Sequence, residues 1–317
     1  MVAARDTDTD ALYGRTFVIT GASSGLGRGV ALKLAARGAN IVLLARREDL
    51  LEEVAAQARA AGGTAVVVPG DVTQVKDIEA LADAALAPTG RIDVWINNTG
   101  IGALGPFWDI PPGDHARVID VNLKGLIYGS LFAVRRFRAQ GHGTLVNIGS
   151  IDSEVPLAYQ ASYSASKAGV LSLGRALNEE LRLDGQERIK VATVMPWAVD
   201  TPWWEHAANY SGGTPRMAAM DDPKDVVDAI VEVALDPVEE LPVGWKAKAS
   251  YGSHKLTPDL AERMSADVSH KWQMKDAPPM QHTSGTLFQP MASGRGVDGG
   301  VRERMEREDA LRAERGR

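Results

Sequence analysis

Short runs of branched apolar residues recur along the first two hundred positions, and longer mixed stretches separate them. Residues 16–20, 40–45, 64–69, 93–97, 144–148 and 190–195 are rich in Val, Ile and Leu. Strands that are apolar on both sides suit a parallel sheet covered on both faces. The stretches between them, such as 27–37, 49–61 and 161–183, read as helices. This alternation predicts an α/β fold, a doubly wound parallel sheet flanked by helices.

Past residue 196 the pattern loosens. Segment 202–222 holds Trp203, Trp204, a Gly-Gly pair and Pro215, and reads as an irregular excursion. A helix is predicted to resume at Pro223, with Asp222 as its N-cap and Pro at the first position. A last strand is predicted near 241–244. Residues 274–300 are rich in Pro, Gly, Ser and Met and predict an extended arm or linker. Residues 301–317 alternate charge sign at helical spacing, as in a solvated helix or frayed tail. The expected organisation is one domain over 1–273 and a C-terminal arm with a charged tail over 274–317.

Composition narrows the class of function. The formal net charge of −6 argues against a nucleic-acid partner, which favours a basic face. There are no cysteines, which excludes disulfides, thiolate metal sites and cysteine nucleophiles. The six histidines are scattered, and none pairs at metal-ligand spacing, so no metal is expected. No apolar run approaches the roughly 18 residues of a membrane helix. Residues 1–14 are polar and lack a signal-like apolar stretch. A cytoplasmic location without membrane attachment is the expectation.

The first strand runs into Gly21-Ala22-Ser23-Ser24-Gly25-Leu26-Gly27, and a helix follows. Glycines there permit a tight turn and close approach of backbone to a pyrophosphate, and the helix N-terminus offers unpaired N–H groups. A glycine-rich turn alone is weak; its place between the first strand and first helix points to a dinucleotide, as in a Rossmann fold. Gly21-x-Ser23-x-Gly25 also matches a hydrolase nucleophile elbow. Only about 15 residues precede this strand, too few to supply the upstream oxyanion loop that the elbow requires. At the end of the second strand, an NAD enzyme places an acidic residue for the ribose hydroxyls. Ala45, Arg46 and Arg47 stand there instead, and arginine suits a 2′-phosphate, so NADP(H) is expected over NAD(H). Asp71 and Val72 follow the third strand, beside the expected adenine edge.

Tyr163 and Lys167 are four apart on a predicted helix and therefore share a face. A nearby ammonium favours the phenolate, which predicts a tyrosine that exchanges a proton nearer neutral pH. Ser150 follows the fifth strand, where such sheets bind ligands. These motifs, with Asp71-Val72, Asn97-Asn98-x-Gly100, Val121-Asn122, Pro196 and Thr201, resemble the main branch of the short-chain dehydrogenases/reductases over roughly residues 12–245. The resemblance implies an oxidoreductase with Tyr163 as acid/base at the substrate oxygen. It further implies that Lys167 binds the nicotinamide ribose, Ser150 holds the oxygen, Asn122 supports a proton relay, and Val199 and Thr201 contact the carboxamide. It also implies a homodimer or homotetramer paired through the long helices.

Two positions depart from the family pattern: Thr99 replaces the usual Ala, and Trp197 replaces the usual Gly. Thr99 crowds the coenzyme wall, though its hydroxyl has the option of a local hydrogen bond. In this family the segment after the sixth strand covers the substrate. Ile151, Leu157, Tyr159, Trp197, Trp203, Trp204, His206 and Tyr210 are therefore candidates for a wall around a hydrophobic carbonyl or alcohol. The alternative from another class is a coenzyme-binding sensor or scaffold working through its arm. Such a protein has no need of Ser150, Tyr163 and Lys167 together.

Overall fold

The computed structural model describes residues 11–315, so residues 1–10 of the polar N-terminal stretch and the last two residues of the tail lie outside it. The chain begins β1 (Thr16–Thr20), α1 (Gly25–Ala35), β2 (Asn40–Ala45), α2 (Glu48–Ala60), β3 (Thr64–Pro69), α3 (Val75–Ala84) and β4 (Val94–Asn97). A short β5 (Ala103–Leu104), α4 (Pro112–Ile119), α5 (Gly125–Gln140), β6 (Gly143–Ile148), α6 (Ala161–Leu183) and β7 (Ile189–Pro196) follow. The last third holds α7 (Trp203–His206), β8 (Ala208–Asn209), α8 (Pro223–Leu235), β9 (Glu240–Val243), α9 (Gly244–Leu256), α10 (Pro258–Ser269) and α11 (Val301–Arg315).

Seven strands form one parallel sheet in the order β3-β2-β1-β4-β6-β7-β9. The two-residue alternation of a strand divides their side chains between two apolar layers. Phe17, Ile19, Ile41, Leu43 and Ile96 pack on α1, α2 and α8 through Leu34, Val54 and Ile230. Val18, Val42, Leu44 and Trp95 point the other way, to Ile78, Leu81 and Phe137 of α3 and α5. Strand order reverses between β1 and β4, and that reversal opens a crevice at their carboxyl ends.

The doubly wound sheet is as the periodicity predicts, and the bounds of β1, β2, β3 and α6 coincide with the predicted runs. Asp222 caps α8 as expected: its Oδ1 accepts the Lys224 N–H at 2.9 Å, and Pro223 takes the first turn. Two features differ from expectation. Residues 244–269 form a helix pair absent from the predicted elements; its buried residues are only Ala247 and Ser269, and the apolar stripe Leu260, Met264 and Val268 on α10 is exposed. Residues 301–315 are helical, but the helix is docked rather than solvated. Val301 and Met305, four apart on one face, are buried with Trp204 and Met217. Arg216, almost wholly buried, pairs with Asp309 at 2.8 Å.

Asp200, just beyond β7, fixes the start of α11. Its buried carboxylate accepts the Val301 N–H at 2.7 Å, the Arg302 N–H at 3.0 Å and the Arg302 Nε–H at 3.1 Å. Among the described residues, no helix is long and apolar enough to cross a membrane. Each hydrogen bond to a charged group contributes about 1.5–3 kcal/mol. Asp200→Ala is therefore expected to lower unfolding stability by about 2–4 kcal/mol in urea titration, since it frees two helix N–H groups and the Arg302 Nε–H, while Arg302 keeps Asp222 at 3.0 Å.

Candidate coenzyme and active site

β1 ends at Thr20 and the chain turns through residues 21–24 into α1. A Cβ on Gly27 would lie 2.4 Å from the Gly21 carbonyl oxygen, so this turn closes only around a bare Cα. The loop is tied to the end of β4. The Asn98 amide donates to the carbonyls of Thr20 and Gly21 at 3.0 and 3.2 Å. Thr20 Oγ1 accepts the N–H groups of Asn98 and Thr99 at 3.0 and 3.2 Å. The Thr99 hydroxyl itself takes up no local hydrogen bond and is buried without a partner. Its residue crowds Gly21, where an added Cβ would stand 2.9 Å from the Thr99 Cα.

Ser150 follows β6 and caps a short 3-10 turn, accepting the Asp152 N–H at 3.1 Å. Tyr163 and Lys167 sit on one face of α6. Lys167 Nζ donates to the Ile148 carbonyl at 2.7 Å and lies 5.6 Å from the Tyr163 ring centre. Asn122 occupies a π-helical turn between α4 and α5, a local widening that is frequent at functional sites. Its amide bonds both the N–H and the carbonyl of Ile101 at 2.9 Å and reaches Ser166 Oγ at 3.1 Å.

One cavity of about 260 Å³ joins these two ends of the crevice. Its wall includes Gly21, Ser23, Ser24, Gly25 and Leu26 at the loop, and Asp71, Val72, Asn98 and Gly100 beside them. At the other end lie Ser150, Tyr163, Lys167, Pro196, Val199 and Thr201. Gly27 and Asn122 stand outside that lining. Of the expected substrate wall, Ile151, Leu157, Trp197, Trp203, Trp204 and His206 face the cavity. Trp203 meets Tyr163 edge-on at 5.2 Å, and its indole N–H has no partner. Trp197 donates to the Ala218 carbonyl at 3.2 Å, and Trp204 to the Val199 carbonyl at 2.9 Å.

Tyr159 and Tyr210 do not belong to that wall. Tyr159, at φ 67°, turns its hydroxyl to His270 Nδ1 at 2.7 Å and stacks on that ring. Tyr210 donates to Asp114 at 2.5 Å. For both, the hydroxyl has its partner outside the cavity, and that satisfaction sets the rotamer.

The electrostatics also depart from expectation at Tyr163. Burial pushes the phenol above its ordinary pKa, the nearby Asp152 carboxylate pushes it further, and only the Ser150 hydroxyl opposes them. Burial brings Lys167 down to about 8, although Asp152 holds it up. Burial likewise lifts Asp152 to about 7, against the Ser150 and Ser164 hydroxyls and Lys167. Desolvation thus dominates all three groups, and it favours their neutral forms. Asp71 goes the other way. Its burial is outweighed by the Thr73 N–H and hydroxyl and by Arg117, 2.6 Å away.

Arg46 and Arg47 stand at the end of β2 as predicted, and both already hold neutral acceptors. Arg46 donates to the carbonyls of Thr286 at 2.7 Å and Phe288 at 3.2 Å. Arg47 donates to the carbonyls of Met291 and Ser293, each at 3.1 Å, and to Ser23 and Ser24 Oγ at 3.2 and 2.8 Å. Burial lowers both guanidinium pKa values. Sequence reasoning missed Asp152, Arg117 and these arm contacts. Asp152 left one signal, an acid two positions past Ser150 in a segment bound for the interior. Backbone carbonyl contacts left none.

The sequence profile described as short chain dehydrogenase matches residues 15–210. The uncharacterized oxidoreductase YxnA of Bacillus subtilis is 30% identical over 280 residues, covering 87% of this chain and 78% of that protein. A short chain dehydrogenase/reductase from Burkholderia phymatum, solved in complex with NAD, superposes with a TM-score of 0.70 at 27% identity, covering 78% of this chain and 95% of the other. A metagenomic short-chain oxidoreductase, solved in complex with NADP, superposes with a TM-score of 0.61 at 32% identity, covering 73% and 96%. Fold, strand order and the matched span agree: this chain belongs to the short-chain dehydrogenase/reductase family of oxidoreductases.

Proposed function

We propose that this protein transfers hydride between NADP(H) and a hydrophobic carbonyl compound or secondary alcohol, with Tyr163 as the acid/base. The observation that carries the reading is the single cavity with the glycine loop and Arg46 at one end and Ser150, Tyr163 and Lys167 at the other. The crowding at Gly27 suits close passage of a pyrophosphate over the loop. Arg46, at the end of β2 on the cavity wall, is the proposed selector for a 2′-phosphate; similar proteins have been solved with NAD and with NADP.

The bound nicotinamide supplies or accepts the hydride. The Ser150 hydroxyl holds the substrate oxygen. In reduction, Tyr163 Oη–H gives its proton to that oxygen as the carbonyl becomes an alcohol; in oxidation it takes the proton back. Burial keeps the phenol in its neutral, proton-giving form. Lys167, held by the Ile148 carbonyl, supports the returning proton and the nicotinamide ribose, and Asn122 holds the backbone behind them. Trp197, Trp203 and Ile151 make the reacting end apolar and exclude water from it. Indole walls favour a flat or bulky hydrophobic substrate.

Proton transfer by a positioned group contributes about 10²–10⁴-fold. Tyr163→Phe is expected to lose turnover in that range while NADPH affinity stays within about twofold in titration; full turnover would rule out the assignment. Retained binding with no wild-type turnover on any carbonyl or alcohol tried would favour a sensor. Thermal shift is expected to be larger with NADPH and NADP⁺ than with NADH and NAD⁺. Arg46→Ala is expected to erase the difference, lowering NADPH affinity about 10- to 100-fold; a difference that survives would move selection elsewhere.

Asp152 generates a pH prediction. Its folded pKa of about 7 lies above the ordinary 3.8, so the stability its proton contributes is fully present at low pH and is lost as pH rises through about 7. Asp152→Asn removes that loss. The melting temperature of the variant, relative to wild type, should climb between pH 5 and pH 8; a constant offset would show that Asp152 titrates normally.

A further inference from the structure

Segment 284–300 leaves β8, passes over the end of β2 and the start of α1, and returns to Asp200 at the start of α11. It is fixed at both margins. Thr283 pairs with Asn209 through hydrogen bonds of 2.8 and 3.0 Å, and Gly299 N–H donates to the Asp200 carbonyl at 3.1 Å. Between these points Leu287 is fully buried, in the apolar layer that holds Val72 and Val121. Pro290 and Met291 face the cavity.

The donors that receive this segment are the groups best suited to phosphate. Besides Arg46 and Arg47, the Arg117 Nε–H donates to the Leu287 carbonyl at 2.9 Å, and Arg28 to the Arg295 carbonyl at 2.9 Å. The Gly25 N–H at the start of α1 donates to the Gly296 carbonyl at 2.8 Å. Carbonyls are neutral, so they fix the guanidinium groups without cancelling their charge. Arg47 directs its two terminal nitrogens to two arm carbonyls and two serine hydroxyls. Arg46 is held by its terminal nitrogens from the arm side, with its Nε–H left over. A free arginine loses rotamer freedom when a ligand orders it. Here that ordering precedes binding.

We propose that segment 284–300 is the outer wall of the coenzyme site and a determinant of coenzyme choice: its carbonyls aim Arg46 and Arg47, and without it the preference for a 2′-phosphorylated dinucleotide collapses. The inference rests on the reading that Arg46 selects the 2′-phosphate. It goes beyond that reading by placing the origin of the preference in the arm as well as in the arginine.

Two variants test it, and both leave Arg46, Arg47, Ser150, Tyr163 and Lys167 in place. The first ends the chain at residue 283. The second, Gly285→Val, keeps the full chain and remains informative if truncation prevents folding. Gly285 has φ 52°, and a Cβ there would lie 2.2 Å from the His206 carbonyl oxygen, so the arm cannot seat at its first anchor. Dissociation constants for NADPH and NADH are measured by fluorescence titration of wild type and both variants. The expected result is at least a tenfold fall in the NADPH-over-NADH preference, through weaker NADPH binding. A preference within threefold of wild type would overturn the proposal, as would tighter NADPH binding in the variants, which would make the arm a plug. Wild-type protein that bound neither coenzyme would instead overturn the underlying functional reading, and the inference with it.

Discussion

The ends of β1 and β4 are held together by a few hydrogen bonds, and the crevice exists because of them. Thr20 gives its hydroxyl oxygen to two N–H groups of the β4 exit, and Asn98 returns its amide to two carbonyls of the β1 exit. The pair is reciprocal, so neither strand end can drift without stranding buried polar groups, which is costly in a dry interior. Strand order reverses at this junction, and the helices after β1 and β4 depart to opposite faces. Every element of the proposed site, from the glycine loop to α6, is registered against that fixed seam.

A second constraint acts at the reacting end. Tyr163, Lys167 and Asp152 are all buried, and burial moves each toward its neutral form. The usual argument that a neighbouring ammonium depresses a tyrosine presumes that charge outweighs desolvation. Here Lys167 is anchored on the Ile148 carbonyl, and Asp152 contributes the opposite sign. The arrangement keeps the phenol neutral in an apolar chamber, where the proposed reaction would use it as the proton donor. That suits catalysis in which charge develops only at the transition state.

The sheet was legible because its strands are apolar on both faces, and only a sheet covered by helices on each side buries such strands completely. The glycine loop and the Tyr163–Lys167 pair were legible because each depends on side-chain identity at fixed spacing. Legibility failed where a side chain had a choice of partners. Tyr159 has the composition of a substrate wall, but its hydroxyl bonds His270 and turns away. Helix α11 looks solvated in sequence because its alternating charges hide two apolar positions, Val301 and Met305. Helices α9 and α10 bury almost nothing, and the apolar stripe of α10, Leu260, Met264 and Val268, is left exposed.

The arm marks a deeper limit of sequence reading. Its contacts with Arg28, Arg46, Arg47 and Arg117 are all made by main-chain oxygens, which every residue possesses. The sequence of 284–300 has to bend, avoid clashes, bury one leucine and set Arg295 beside Asp49 at 3.2 Å. Composition rich in Gly, Pro and Ser meets those needs and resembles an unstructured linker for the same reason. Arginines followed by acids likewise resemble the start of a charged surface helix, although here they are half of a buried interface. A segment that recognises through its backbone is therefore identified by the donors it satisfies, and those donors, the arginines and the α1 N-terminus, are the ones a dinucleotide phosphate would seek.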